Sequence, residues 1–303
     1  GLGDVYKRQF NNKKVMATLE KEIWIDQLME GFYPDSSFLK YAKDFSSLVD
    51  YNAINMAEAG ADPEVLINNT TYPIKIVQRV DNPLRIELDK FETENTLVRR
   101  PVVIEYSYDQ LESVLMGHRN TLRAKTAMKA AHAYAPQKDS EYTPVIPTSG
   151  TADTSGVKRL TLEDILELKE RYDSANVPLE GRYLVLCPKH VTDLILLDAK
   201  HMGNITDLRD GKPMRFAGFN MLQTSITPQY GENLEKIEFD SEEKGFYCSF
   251  SFHSDEVMKA DGEVFMYARE NDPEERGTIV GFDKRFIALP IRNKGIGAIV
   301  GVK

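Results

Sequence analysis

The sequence is poor in cysteine and in long apolar runs, and both shortages exclude classes of protein. Cys187 and Cys248 are the only cysteines in 303 residues, and they have no metal-type spacing. Two isolated thiols predict buried structural residues and favour a reducing compartment over a disulfide framework. No segment approaches the ~20 consecutive apolar residues that a membrane helix needs. We therefore expect neither a membrane partner nor export.

Basic residues are also scarce, since 38 Lys and Arg face 47 Asp and Glu, for a net charge of −9. We exclude residues 1–15 as a non-native leader, because a helical pattern begins directly after Met16. Without them, 34 basic and 46 acidic residues remain, and the net charge is −12. Residues 16–60 hold three lysines against eight acidic residues. This segment is therefore not suited to gathering nucleic acid by phosphate neutralisation.

No set of residues with catalytic spacing stands out. The five histidines show no metal-ligand spacing with one another or with carboxylates, and no Gly-x-Ser-x-Gly elbow occurs. An enzyme hypothesis would have to rest on Cys187 or His190, which follow a buried strand. We therefore predict no catalytic residue, no metal and no cofactor.

The segment 16–70 is predicted to form an arm with too few apolar residues for a core. Residues 18–32 have helical periodicity, with Trp24 and Leu28 one turn apart. A second short helical piece is predicted over 36–49. Trp24 is the only tryptophan, and we expect it to be a packing anchor.

Residues 71–108 are predicted to form a long β ribbon, with strands at 72–80, 84–91 and 97–106. Leu84, Ile86 and Leu88 alternate with charged residues, which is typical of a strand with one apolar face. Nothing comparable follows for a long way to cover that face. The ribbon is therefore expected to pack against another chain.

Arg99 and Arg100 are the one compact basic pair in this ribbon. The pair is either a solvated strand face or one side of a salt bridge to an acidic neighbour.

The remaining pattern predicts an α+β fold in three further parts. Residues 109–178 hold a long helix at 109–134, a linker rich in Pro, Ser, Thr and Gly at 136–160, and a helix capped by Thr161. Residues 179–275 have an α/β texture, with the apolar run GRYLVLCP, a helix at 189–200 and strands at 216–225, 246–253 and 263–268. Residues 276–303 return to strands.

The order of these parts resembles the major capsid protein of tailed double-stranded DNA bacteriophages. The resemblance rests on the arm, the ribbon, the long helix directly after it, and a lobe that begins GRYLVLCPKH and continues RFAGFNMLQTSITP. That family has the Hong Kong 97-type capsid fold, which encapsulins and the herpesvirus capsid floor share. The resemblance implies an N-terminal arm, an extended β-ribbon loop, a peripheral domain with a long spine helix, and an α/β axial domain.

The resemblance also implies a function and its partners. The chain would assemble as hexamers and pentamers into an icosahedral shell around packaged double-stranded DNA, held non-specifically, with separate scaffolding and portal proteins. It would be located in the virion, after assembly in the cytoplasm of the bacterial host. An encapsulin-type shell is the alternative, and a soluble α/β enzyme is a more remote one.

On this interpretation, the ribbon and the arm contact neighbouring subunits. The expected contact residues are Trp24, Leu84, Ile86, Leu88, Arg99 and Arg100. Replacing Ile86 and Leu88 by Asp is then expected to block assembly and to leave the single subunit folded.

Overall fold

A computed structural model describes residues 38–58, 82–99, 106–201, 206–207 and 212–303. The fold is α+β, with three α-helices among these residues: α1 (Tyr106–Tyr134), α2 (Leu162–Ser174) and α3 (Pro188–His201). None of the described helices is long and apolar enough to cross a bilayer. Two 3₁₀ helices, Phe38–Tyr41 and Ser46–Leu48, precede them.

Seventeen strands complete the described fold. They are β1 (Lys43–Asp44), β2 (Val49–Asp50), β3 (Ala53–Glu58), β4 (Asn82–Glu87), β5 (Asp89–Glu92), β6 (Thr96–Arg99), β7 (Val145–Pro147), β8 (Arg182–Leu186), β9 (Thr206–Asp207), β10 (Lys212–Pro213), β11 (Arg215–Phe216), β12 (Phe219–Gln223), β13 (Gln229–Tyr230), β14 (Phe246–His253), β15 (Val257–Asp272), β16 (Gly277–Pro290) and β17 (Ile296–Val300).

A seven-stranded sheet forms the larger layer, in the order β11-β12-β8-β14-β17-β7 with β13 beside β14. The apolar run in β8 is buried because it lies between β12, which is parallel to it, and β14, which is antiparallel. Helices α2 and α3 cover the sheet through Ile165, Leu168 and Leu194. The predicted buried strand, the helix after it and the strand at 246–253 are therefore confirmed.

A five-stranded sheet forms the second layer, in the order β1-β15-β16-β5 with β6 also on β16. Its centre is the long antiparallel hairpin of β15 and β16. Helix α1 packs on one face, where Leu122 meets Val264, Val280 and Phe282. The predicted long helix is thus confirmed and begins three residues earlier.

Two of the expected segments are arranged differently in the structure. Helix α2, expected with residues 109–178, packs on the seven-stranded sheet, and the linker holds β7, which pairs with β17. The strand predicted at 263–268 belongs to the five-stranded sheet through β16. Chain segments therefore pass between the two layers.

A three-stranded sheet of β2, β3 and β4, which we call the ribbon root, packs beside the five-stranded sheet. Strand β3 lies between β2 and β4, and both pairings are antiparallel. The strand β3 was not predicted, and the helix predicted over 36–49 is wrong apart from two 3₁₀ turns, because short strands β1 and β2 occupy that segment. The predicted helix at 18–32 and the predicted strand at 72–80 lie outside the described residues.

The expectation that the apolar ribbon face has no cover in its own chain is wrong for Ile86 and Leu88. Leu88 is only 4% exposed and packs with Ile54, Met258 and Ile287, while Ile86 is half-buried against the same cluster. Room for Leu88 comes from a β-bulge in β15. A Cβ on Gly262, which lies in that bulge, would come within 3.0 Å of the Leu88 Cδ2 atom.

The return half of the predicted ribbon also lies on its own chain. Strand β5 pairs with Asp283–Phe286 of β16, and β6 pairs with Gly277–Val280. The strand pairing with β16 is interrupted between β5 and β6. Thr93 supplies a hydrogen bond there, because its Oγ1 accepts from the Phe282 N–H at 2.9 Å. Residues 89–99 of the predicted ribbon therefore belong to the five-stranded sheet.

Because Leu88 is part of the subunit core, replacing Leu88 by Ala should reduce the free energy of unfolding by about 2–5 kcal/mol. Leu48→Ala is the control, since Leu48 is 51% exposed and should change it by less than about 0.5 kcal/mol. Urea unfolding of the unassembled subunit measures both. The double change of Ile86 and Leu88 to Asp is now expected to unfold the chain. An equally small change in the free energy of unfolding for Leu88→Ala and Leu48→Ala would contradict the assignment of Leu88 to the core.

Candidate assembly interface

The described residues of the ribbon root have one buried and one exposed face. Ile54, Ile86 and Leu88 point towards the chain's own sheet, whereas Asn55, Arg85 and Glu87 are exposed. The exposed face of the root is thus charged and polar. The Leu88 side chain, which the sequence predicts to contact a second chain, has almost no exposed surface left for that contact.

The other predicted contact residues are only partly within the described structure. The backbones of Leu84 and Arg99 are described, with Leu84 opposite Met56 in β3 and Arg99 opposite Gly277 in β16. Trp24 and Arg100 lie outside the described residues. Arg99 is thus at the far end of the β15–β16 hairpin, away from the ribbon root, and the structure does not bring the six predicted residues together.

An exposed aromatic face lies on the distal half of the β15–β16 hairpin, and the sequence analysis missed it. Phe265 is 48% and Tyr267 is 57% exposed, and both are on the face opposite α1. The Tyr267 hydroxyl donates to the Asp283 carboxylate at 3.0 Å, and the Lys90 ammonium is 3.3 Å from the same oxygen. The continuous apolar run VFMYA at 264–268 places apolar side chains on both faces of β15, and this signal could have revealed the second face.

The same half of β15 has an uncovered edge within the described part of the chain. Strand β1 pairs only with Met258 and Lys259, and no other described strand lies on that side of β15. Uncovered strand edges and exposed apolar faces are surfaces to which another chain adds. This edge and the face that carries Phe265 and Tyr267 together form what we call the candidate assembly surface.

The residues of the enzyme hypothesis meet in the interior of the seven-stranded sheet. Ser249 Oγ accepts from the Cys187 N–H at 3.0 Å and lies 2.6 Å from His190 Nδ1. Both thiols are free and buried, and burial raises the pKa of the Cys187 thiol. A buried, protonated thiol is a poor nucleophile, so this trio joins α3 to the sheet and does not resemble an open active site.

A polar cleft of 910 Å³ opens beside this region, and the ammonium group of Lys189 on its wall is paired. Lys189 forms an ion pair with Asp153 at 2.5 Å and donates to Ser155 Oγ at 2.9 Å. The Lys189 ammonium holds the pKa of Asp153 well below its usual range. Over the ranges that the structure covers, no group of three or more His, Cys, Asp or Glu side chains could hold a metal ion.

Comparison with known proteins gives the fold. No protein-family model and no curated protein matches the chain. It is similar to the capsid structure of the Cyanophage P-SCSP1u, with a TM-score of 0.63 and 15% identity over 88% of this chain and 89% of that one. A structure from Mycobacterium phage Che8 has a TM-score of 0.62 and 14% identity over 88% and 91% of the two chains.

A third similar structure is a virus-like particle from Pyrococcus furiosus, with a TM-score of 0.55 and 12% identity over 92% and 99% of the two chains. This chain has the phage capsid fold.

In chain order, helix α1 lies where the resemblance predicts the spine helix, and the root precedes it. The assignment of the root to the base of an extended loop stays a prediction. Strand β3 was missed, and β5 and β6 were taken for free strands although both pair with β16.

The burial of His190 makes the folded chain less stable as the pH falls. Burial lowers the pKa of His190 to about 3 from the ordinary 6.5, so between these values the unfolded chain binds a proton that the folded chain does not. The free energy of unfolding should therefore fall as the pH falls through this window, by up to about 1.4 kcal/mol per pH unit from His190. Urea unfolding of His190→Asn between pH 4 and 6.5 should give a shallower pH slope than the native chain, and equal slopes would contradict this assignment.

Proposed function

We propose that this chain is the subunit of a closed icosahedral shell that encloses the double-stranded DNA of a tailed phage. The observation that carries the proposal is the likeness of its fold to phage capsid proteins over 88% of the chain. The chain would assemble as hexamers and pentamers. Enclosure and assembly would be its role, without a catalytic step.

The candidate assembly surface supports the proposal. A second copy that covers Phe265 and the open edge of β15 would bury apolar area that the single chain leaves in water. Full burial of such a side chain contributes on the order of 1.5–3 kcal/mol. Because each subunit of a shell repeats its contacts with several neighbours, modest contacts give a high collective stability.

Four of the six contact residues expected from the sequence remain part of the proposal. Trp24, Leu84, which lies in the ribbon root, Arg99, which lies at the end of the hairpin, and Arg100 would contact neighbouring subunits. Ile86 and Leu88 instead hold the root on its own sheet, which gives those contacts a fixed base.

The charge of the chain supports one mode of DNA enclosure. With a net charge of −9, the subunit has no general excess of cations to condense DNA. A preformed shell filled through a portal by a motor needs no such excess, so the DNA would be held non-specifically. Separate scaffolding and portal proteins, assembly in the cytoplasm of the bacterial host and a final place in the virion complete the proposal.

The encapsulin alternative shares the fold and self-assembly but requires an internal site for a cargo peptide. Two of the similar structures come from phages, and one of these two is described as a capsid, which favours the phage shell. The enzyme alternative loses support because Cys187 and His190 are buried.

The direct test is sedimentation velocity and negative-stain electron microscopy of the purified full chain at increasing concentration, with and without double-stranded DNA. We expect rings or closed icosahedral shells that form without DNA, because the contacts are between subunits. A chain that stays monomeric at every concentration and in a crowding agent would contradict self-assembly.

Reversing the charge of Arg99 and Arg100 should reduce assembly and leave the subunit folded, because the pair is proposed to face an acidic neighbour. The matched control reverses Lys138 and Lys244, which are exposed and whose reversal changes the net charge equally. Light scattering during assembly and thermal unfolding of the subunit measure the two effects. Equal assembly by both double variants would contradict a specific role for the arginine pair.

A further inference from the structure

We propose that a polar clasp fixes the direction in which the ribbon leaves the subunit. The clasp consists of Asp44, Ser46, Lys259, Asp261 and Lys284. The inference rests on the proposed function, because the direction of a ribbon matters only when it must meet a neighbouring subunit.

The first half of the clasp is a hydrogen-bonded turn just before the ribbon root. Asp44 Oδ1 accepts from the Ser46 N–H at 2.9 Å and from the Ser46 hydroxyl at 2.5 Å. Its second oxygen, Oδ2, lies 3.4 Å from the Lys259 ammonium of β15. The carboxylate of Asp44 therefore shapes the turn and attaches it to the sheet.

The second half is on β15 and β16. The Asp261 N–H donates to Ser46 Oγ at 2.9 Å, and the Phe45 N–H donates to the Lys259 carbonyl at 2.9 Å. The Asp261 carboxylate forms an ion pair with Lys284. Lys259 and Lys284 are both buried, so their positions are set by the surrounding core.

The apolar contacts of the root do not select a direction by themselves. Phe45, Val49 and Ile54 pack on Met258 and Ile287, and such contacts are non-directional. Hydrogen bonds weaken steeply as their angle departs from linearity. The apolar cluster therefore holds the root on the sheet, and the clasp resists its rotation.

The position of the clasp links it to the ribbon. Strand β2 begins at Val49, three residues after Ser46, and pairs with β3, which in turn pairs with β4. A rotation of the root about the sheet would therefore break the bonds of Ser46. The Lys43–Asp255 ion pair of the same segment is exposed at both ends and is therefore expected to contribute little.

The test measures direction in the unassembled full chain. Spin labels are placed at Asn55, on the exposed face of β3, and at Glu263, an exposed residue of β15. The native chain should give a single narrow distance distribution. Ser46→Ala, which removes the shared hydroxyl and leaves every charge in place, should lose that narrow peak, and Ser46→Thr should restore it.

Two further variants keep the test independent of folding. Asp44→Ala should broaden the distribution in the same way, whereas Lys43→Ala is the control and should leave it narrow. Thermal unfolding verifies that each chain is folded at the temperature of measurement. A narrow, unchanged distribution in both Ser46→Ala and Asp44→Ala would overturn the inference.

Electron microscopy of the same variants connects direction to assembly. Shells from Ser46→Ala should be fewer and less regular than native shells, and Lys43→Ala shells should match native ones. A native chain that never forms shells would defeat the proposed function while the distance measurement still decides the clasp. Regular Ser46→Ala shells with a broadened distribution would overturn the link between the clasp and assembly.

Discussion

The packing around Tyr134, at the carboxyl end of α1, is the contact on which the rest of the structure depends. Its ring meets Phe38 of the arm and Phe252 of β14, and its hydroxyl donates to the Met258 carbonyl of β15 at 3.0 Å. Burial raises the pKa of Tyr134 well above its usual range, so the hydroxyl stays a donor. The arm, the long helix and both sheets are thereby joined at one side chain.

The end of α1 is held from the other side by a lysine. The Lys236 ammonium donates to the carbonyls of His132 at 2.7 Å and Ala135 at 2.6 Å, which are groups that the helix end leaves unpaired. With this end fixed, α1 carries the hairpin of β15 and β16 and, through it, the ribbon root. The end of α1, the hairpin and the ribbon root are therefore parts of one connected core.

Sequence patterns predicted the elements in which apolar residues recur with a strong local period. They failed where a strand pairs with a segment that is distant in the sequence. The apolar run of β8 and the long helix α1 were predicted correctly, and Ala130 and Ala131 of that helix are buried in the core. The alternation of apolar residues around Leu88 predicted an apolar strand face but not the strands that cover it. Those strands follow far along the chain: Thr93, which lies next to β5, bonds to Phe282 of β16, 189 positions later. Strand β3, AINMAE, consists largely of helix-forming residues, and pairing overrides that preference.

The central claim is that this subunit forms a closed shell while its ribbon root stays folded on its own sheet. High-resolution electron cryomicroscopy of particles assembled from the full chain tests both parts at once. The account predicts an icosahedral shell in which β5 and β6 pair with β16 of the same chain, and Phe265 is covered by a neighbour. Particles without closed symmetry, or β5 and β6 paired with a neighbour's β16, would contradict it.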